Sequence, residues 1–202
     1  MTRKKPAEDR RVEILTAAMT VFGRYGYRRT SMEMIAKAAG ISRPALYQHF
    51  SGREDVFRAM GTHMLDEVLR SAREAAAAEG SLADQLYAAL AIKLRTVLGS
   101  VGAGHRAELL TEAGVIAPDL MLSFKNRFAA LVADLLAAAT GGPDQLAPGM
   151  TAYECADLLL DAVVGISQAD GTPDQLHRRL RQLVELTVRG LGTPEPVPAG
   201  TP

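Results

Sequence analysis

Apolar side chains recur along this chain three and four residues apart, as in amphipathic helices, and few segments alternate with a period of two. This periodicity favours helices over strands throughout. The first helix is predicted from about residue 8 to residue 25, and Gly26, which can adopt a left-handed conformation, follows its last turn. Its apolar face is expected to carry Val12, Leu15, Met19 and Phe22.

The helical periodicity continues towards the C-terminal end. Two short helices are expected at about 31–39 and 43–50, and a long one from near Arg53 into the alanine-rich segment that ends at Gly80. Five more are predicted at about 82–97, 103–113, 118–135, 151–167 and 174–190. The predicted fold class is therefore all-α, with about nine helices in the 202 residues.

Charge is distributed unevenly, although the formal net charge is zero. Residues 1–60 contain 12 Lys and Arg against 6 Asp and Glu, a net of +6, whereas residues 61–202 contain 11 against 17, a net of −6. A basic end joined to an acidic body is typical of a protein that binds a polyanion at one end only.

The two short helices have the features of a helix-turn-helix. Thr30 followed by Glu33 predicts a capping box at the start of the first helix. Gly40 supplies the left-handed turn, and Ser42 is the expected N-cap of the second helix, with Pro44 in its first turn. The apolar residues Leu46 and Phe50, four positions apart, are expected to anchor the second helix.

Once these anchors face inward, the polar residues of the second helix must face outward. An arginine at the start of such a helix, here Arg43, can donate two hydrogen bonds to guanine in the major groove. Tyr47 and His49 suit phosphate contacts, which position a protein without reading sequence. The complete set of expected DNA-contacting residues is Arg28, Thr30, Ser31, Ser42, Arg43, Ala45, Tyr47, Gln48, His49 and Arg53.

With these residues in view, the segment 8–60 resembles the N-terminal domain of the TetR family of bacterial transcriptional regulators. The matching positions are Thr30, Ile35-Ala36, Ala39-Gly40, Ile41-Ser42, Leu46-Tyr47, His49-Phe50 and Arg53-Glu54. One departure is Arg53, where the family often has lysine. Beyond residue 60 the resemblance extends only to overall size and the number of helices.

The resemblance implies a homodimer built from the last two helices, at about 151–167 and 174–191, that binds a palindromic operator. It also implies a repressor that a small molecule releases from DNA by tilting the helix that starts near Arg53. The middle helices, about 82–140, resemble the effector-binding region of the family. The side chains that could line this site are Met64, Tyr87, Arg95, His105, Met121, Phe124 and Phe128.

The expected organisation is a head, a body and two tails. Residues 8–52 form the predicted helix-turn-helix domain, and residues 53–191 form the predicted ligand-binding and dimerisation domain. Residues 1–7 and the proline-rich residues 192–202 are expected to be disordered.

An enzyme is the main alternative from another class. Residues 102–107 fit the dinucleotide-binding pattern G-x-G-x-x-A, but they follow a helical run rather than a strand, so we reject that interpretation. No catalytic motif or metal-ligand cluster is found in the sequence, and neither a cofactor nor a metal is expected. The other alternative, a ligand-binding or scaffold protein without operator binding, leaves the basic head unexplained.

The single cysteine, Cys155, excludes an intrachain disulfide and lies in an apolar run, where a buried, inert thiol is expected. The chain has no N-terminal apolar segment of the secretory type and no run of 18 apolar residues. A cytoplasmic protein without a membrane span is therefore expected.

Overall fold

The computed structural model describes residues 7–99, 105–140 and 150–191. In these ranges the chain forms nine α-helices and no β-strand, which confirms the predicted all-α class. The helices are α1 (Ala7–Arg29), α2 (Met32–Ala38), α3 (Arg43–Tyr47), α4 (Arg53–Ala76), α5 (Leu82–Gly99), α6 (Arg106–Ile116), α7 (Pro118–Thr140), α8 (Ala152–Gln168) and α9 (Pro173–Leu191). The predicted tail 192–202 lies outside these ranges, as do residues 1–6 and the glycines of the pattern at 102–107.

Helix α1 is interrupted at Gly26, whose φ of 76° and ψ of 168° are non-helical, so its first segment ends near Tyr25 as predicted. The buried face of α1 differs from the expected one. Its fully or nearly fully buried residues are Ile14, Leu15, Ala18, Val21 and Phe22. Val12 and Met19 are exposed, so the prediction that they share one face with Leu15 and Phe22 was wrong. At 3.6 residues per turn, both lie roughly 100° or more around the helix axis from Ala18, which is at the centre of the buried stripe.

The chain divides into two compact units. Unit 1 comprises Met1–Glu67 with Gly99–Lys125, and unit 2 comprises Val68–Leu98 with Asn126–Pro202. The first part of α4 and all of α6 are therefore grouped with α1–α3. The domain boundary at residue 52 stays a prediction.

Unit 1 has an aromatic core around the end of α1. The rings of Phe22, Tyr27 and Phe57 pack against one another with centroid separations of 4.9 to 5.8 Å. Such pairs stabilise a core beyond the area that they bury. The core continues through Ile35 of α2 and Leu46 of α3, both inaccessible to solvent, so the two short helices are held to α1 and α4 by apolar contacts.

Unit 2 contains the packed pair α8 and α9, each with a buried apolar stripe. Helix α8 begins at a capping box in which Thr151 and Glu154 satisfy each other's backbone N–H groups. Cys155 is buried in the first turns of α8, and desolvation raises the pKa of its thiol. The thiol is therefore predominantly protonated near neutral pH, and the predicted burial of Cys155 is confirmed.

Within the described ranges, no helix has both the length and the hydropathy that a bilayer span requires.

Candidate nucleic-acid interface

Helices α2 and α3 are both capped by serine side chains. Ser31 adopts an extended conformation, and its Oγ accepts a hydrogen bond of 3.3 Å from the Met34 N–H. Ser42 does the same for α3, where its Oγ accepts from the Ala45 N–H at 3.3 Å. The predicted cap at Ser42 is confirmed. These caps allow such short helices to begin at defined residues, because they satisfy N–H groups that have no partner within the helix.

The capping box predicted at Thr30 and Glu33 is wrong. Thr30 is 1% exposed, and its hydroxyl donates a 2.7 Å hydrogen bond to the Gly26 carbonyl oxygen. Two adjacent residues could each have capped α2, and local sequence does not distinguish them. Tertiary burial of Thr30 leaves Ser31 as the cap. Thr30 therefore fixes the connection between α1 and α2 from inside the unit.

The turn between α2 and α3 has the predicted geometry. Gly40 has φ 65°, which is in the left-handed region, and the Ile41 N–H donates to the Ala36 carbonyl at 3.0 Å. On the far side of the turn, Leu46 and Phe50 are 0% and 1% exposed, as predicted for the anchors of the second helix. Both predicted anchors of the second helix are therefore buried.

The outward-facing side of α3 presents its polar side chains to solvent. Arg43, Tyr47 and Gln48 are exposed, whereas Ala45 and His49 are half-buried. The Arg43 guanidinium lies 5.7 Å from the centroid of the Tyr47 ring. A hydrogen bond with Tyr47 is the main cause that raises the pKa of Arg43. The two side chains thus lie together on one exposed surface.

The end of α3 is held by an arginine that the sequence analysis missed. Arg11 of α1 donates from Nη1 to the His49 carbonyl oxygen at 3.0 Å, and its guanidinium lies 4.3 Å from the centroid of the Phe50 ring. The bond joins residues 38 positions apart. No local signal separates Arg11 from Arg10, so only the tertiary structure identifies it.

Arg53, predicted as a phosphate ligand, makes contacts within unit 1. Its Nη1 donates to the carbonyl oxygens of Arg28 and Thr30, both at 3.0 Å. Its guanidinium also lies 4.4 Å from the centroid of the Tyr27 ring. The side chain is half-buried and directed at the connection between α1 and α2.

Carboxylates of α6 contact the same connection. The Arg28 side chain, exposed as predicted, donates to Glu112 at 2.8 Å, and its backbone N–H donates to Glu108 at 3.2 Å. The hydrogen bond with Glu112 is the main cause that raises the pKa of Arg28, and the Arg28 backbone N–H is the main cause that lowers the pKa of Glu108. Neither carboxylate could be predicted from sequence, because Glu108 and Glu112 lie 80 and 84 residues from Arg28 and no local pattern links them.

The residues predicted to line an effector site are divided between the two units. Unit 1 contains Met64, His105, Met121 and Phe124, and unit 2 contains Tyr87, Arg95 and Phe128. Phe128 is fully buried and Arg95 is exposed, and the other five are half-buried.

Two of these residues have defined polar partners within their own unit. In unit 1 the His105 ring lies between Nη2 of Arg29, 3.0 Å from its Nε2, and Glu108, 3.4 Å from its Nδ1. In unit 2 the Tyr87 hydroxyl lies 3.3 Å from Nδ1 of His177.

Two short capped helices, a glycine turn and an exposed arginine on the first residue of the second helix together define a helix-turn-helix protein. Residues 14–60 match the family of bacterial regulatory proteins known as the tetR family. The helix-turn-helix segment therefore belongs to the tetR family, and the resemblance predicted from sequence is confirmed.

Individual relatives agree with this assignment over the same part of the chain. The HTH-type transcriptional activator FasR of Mycolicibacterium smegmatis is 39% identical over 70 residues, which cover 35% of this chain and 32% of the relative. The HTH-type transcriptional repressor KstR2 of Rhodococcus jostii is 41% identical over 71 residues, which cover 32% and 31%. The chain thus matches about a third of the length of these relatives.

Similarity of fold extends over most of the chain. A solved transcriptional regulator of the TetR/AcrR family from Thermobifida fusca has a TM-score of 0.62 and 22% sequence identity, and the match covers 87% of this chain and 96% of that one. At this identity the match establishes the fold alone. The three proteins are named as transcriptional regulators rather than enzymes, in agreement with the expectation that this chain is not an enzyme.

Proposed function

We propose that this chain is a transcription regulator that reads DNA by inserting α3 into the major groove. The observation that carries the proposal is the division of α3 into two faces. Leu46 is buried in the core of unit 1, whereas Arg43, Tyr47 and Gln48 are exposed. Because Arg43 is the first residue of α3, it lies at the end of the helix that contacts base edges in helix-turn-helix proteins.

The interactions with DNA divide into base reading and phosphate positioning. The guanidinium of Arg43 suits the two acceptors of guanine, and Gln48 suits adenine. Tyr47, His49 and the N-terminal amides of α2 near Ser31 suit phosphate oxygens. Specificity should therefore depend mainly on Arg43, while affinity for every sequence depends on the surrounding groups.

Selection of bound duplexes from a random pool, followed by binding titrations, tests the proposal. We expect Arg43→Ala to weaken specific binding by about 1–3 kcal/mol and to relax the base preference at one position in each half-site. Arg73→Ala, which removes an exposed arginine from the last turn of α4, serves as the charge-matched control and should leave the preference unchanged. If no duplex binds in a salt-dependent manner, the protein is a ligand-binding or scaffold protein and the proposal fails.

We further propose that the regulator acts as a homodimer through α8 and α9. The stripes predicted for this role, including Leu159 and Leu180, are buried within one chain. Other apolar residues remain exposed on the two helices: Tyr153, Leu158, Val164 and Leu186. Leu158 and Leu186 are 58% and 69% exposed. Exposure of such large apolar side chains on neighbouring helices supports their burial against a second subunit. A dimer would present two α3 helices about 34–36 Å apart to a palindromic operator.

The oligomeric state can be measured directly by sedimentation. We expect Leu158→Asp and Leu186→Asp to shift the chain from dimer to monomer, because an uncompensated charge enters an apolar interface. Val115→Asp is the matched control, since Val115 is 75% exposed but lies on α6 of unit 1. Equal sedimentation of all three variants and the parent chain would exclude α8 and α9 as the interface.

Repression and release by a small molecule complete the proposal. Repression is supported by KstR2, which is named a repressor, whereas FasR is named an activator. Release by a small molecule is what the resemblance to the family implies. Ligand binding and DNA binding would then oppose each other through a coupling free energy. A reporter under the selected operator distinguishes repression from activation, and a screen for compounds that release the bound duplex identifies the effector class.

A further inference from the structure

The connection between α1 and α2 is tied down by a set of hydrogen bonds to backbone carbonyl oxygens. The Thr30 hydroxyl donates to Gly26, and the Thr30 N–H donates to Tyr27 at 3.3 Å. Arg53 donates to two more carbonyl oxygens, those of Arg28 and Thr30. Buried and half-buried carbonyls need such partners, and a single guanidinium nitrogen here satisfies two of them.

The bonds from Arg53 link the two ends of the helix-turn-helix segment. Thr30 immediately precedes Ser31, the N-cap of α2, and Arg53 is the first residue of α4. The helix-turn-helix pair occupies the intervening residues 31–52. A bond between Arg53 and the Thr30 carbonyl therefore joins the residue that precedes this segment to the residue that follows it.

The remaining interactions hold the guanidinium in this position. Its stacking on Tyr27 at 4.4 Å adds a cation–π interaction, and Tyr27 is itself fixed in the aromatic core by Phe22 and Phe57. Moving Arg53 to a DNA phosphate would break both carbonyl bonds and this stacking. Arg53 is half-buried, whereas Arg43 is exposed on α3.

We propose that Arg53 is a positioning residue, which fixes the start of α2, and hence the presentation of α3, by clasping the two ends of the helix-turn-helix segment. It acts through the backbone of Arg28 and Thr30 and not by contacting DNA. The role in DNA binding rests on the proposed function, whereas the clasp is a property of the free protein.

Amide hydrogen exchange in the free protein tests the clasp. Arg53→Met retains the apolar stem of the side chain but removes its donors and charge. We expect the Met34 and Ile35 amides, whose bonds to Ser31 begin α2, to exchange at least about tenfold faster, with the amides of α9 unchanged. Arg53→Lys, whose ammonium group carries three donors, should restore much of the protection. Arg53→Gln is the second neutral variant, should the methionine variant not fold.

The salt dependence of DNA binding tests the mode of action. If Arg53 positions α2, Arg53→Met lowers affinity for the selected duplex about tenfold while the slope of log K against log salt stays that of the parent chain. Removal of a phosphate ligand would instead lower the magnitude of that slope by about 0.9 for each phosphate that is no longer neutralised, and amide exchange would be unchanged. That result would overturn the proposal. Unchanged exchange together with unchanged affinity would overturn it as well. If no DNA binds at all, the proposed function fails while the exchange measurement still decides the clasp.

Discussion

Gly26 interrupts α1 shortly before the helix-turn-helix, and its replacement by alanine is the sharpest local perturbation that the structure offers. Its backbone has φ 76° and ψ 168°, a region that is occupied almost only by glycine. A Cβ built at this position would meet the Glu108 carboxylate, with the Glu108 Cδ only 2.8 Å away. The backbone conformation therefore requires glycine, and a Cβ at this position would in addition force the flexible Glu108 side chain to move.

The expected loss of stability combines three contributions. Forcing alanine into this backbone region costs about 1–3 kcal/mol. The loss of glycine's freedom in the unfolded chain offsets roughly 0.4–1 kcal/mol of that cost. Displacement of Glu108 acts in the destabilising direction, since the carboxylate would move away from the Arg28 N–H, from which it accepts a hydrogen bond. We expect the free energy of unfolding to fall by about 1–3 kcal/mol in total.

Urea unfolding followed by helical circular dichroism measures this change, at one protein concentration for all variants. Two other glycines of unit 1 are controls. Gly40 also has a positive φ, 65°, but has no atom within 4 Å of its Cβ position, so Gly40→Ala should cost about 1–2 kcal/mol. Gly114 is helical and equally open, so Gly114→Ala should stabilise by about 0.5–1 kcal/mol.

The relative unfolding free energies of the three variants show whether Gly26 is strained and crowded. If Gly26→Ala were as stable as the parent chain, or more stable like Gly114→Ala, neither the backbone strain nor the clash with Glu108 would be real. If it cost clearly less than Gly40→Ala, the surroundings of Gly26 would tolerate a side chain, and the account of the α1–α2 connection would have to be revised.

Three further predictions concern a cap, an ion pair and the cysteine. Ser31→Ala should lower the free energy of unfolding by about 1 kcal/mol, whereas Glu33→Ala should change it by less than about 0.5 kcal/mol. A larger loss for Glu33→Ala than for Ser31→Ala in urea unfolding would indicate that the predicted capping box forms after all. A hydrogen bond from Arg58 is the main cause that lowers the pKa of Asp119. The stabilising effect of this bond is therefore present above the ordinary aspartate pKa and is lost as pH falls through the pKa of Asp119 in the folded protein. Asp119→Asn should therefore reduce stability at neutral pH and give a shallower decline on acidification, and parallel curves would contradict this reasoning. The buried Cys155 should react with a disulfide reagent only as urea unfolds the chain, and rapid labelling of the folded protein would show an accessible thiol.

The all-α class, the helix pair and the cap at Ser42 could be predicted from sequence because their causes are local. Periodic apolar residues, a glycine in the left-handed turn and a serine before a proline act over one or two turns of chain. The exposed residues of α3 followed in the same way, since burial of Leu46 and Phe50 leaves the remaining positions facing outward. The resemblance to the tetR family rests on this same local pattern.

Only the tertiary structure decided which polar groups are free to act. Thr30 and Ser31 have similar side chains, yet one is buried and the other caps α2. Arg43 and Arg53 are chemically identical, yet one is exposed and the other is bound to two carbonyl oxygens. The partners of Arg53 lie 23 and 25 positions away in the chain, and those of Arg28 on α6 lie 80 and 84 positions away. Amphipathic periodicity determines which face of a helix is buried, but it contains no information about which distant donor or acceptor will meet a given side chain there.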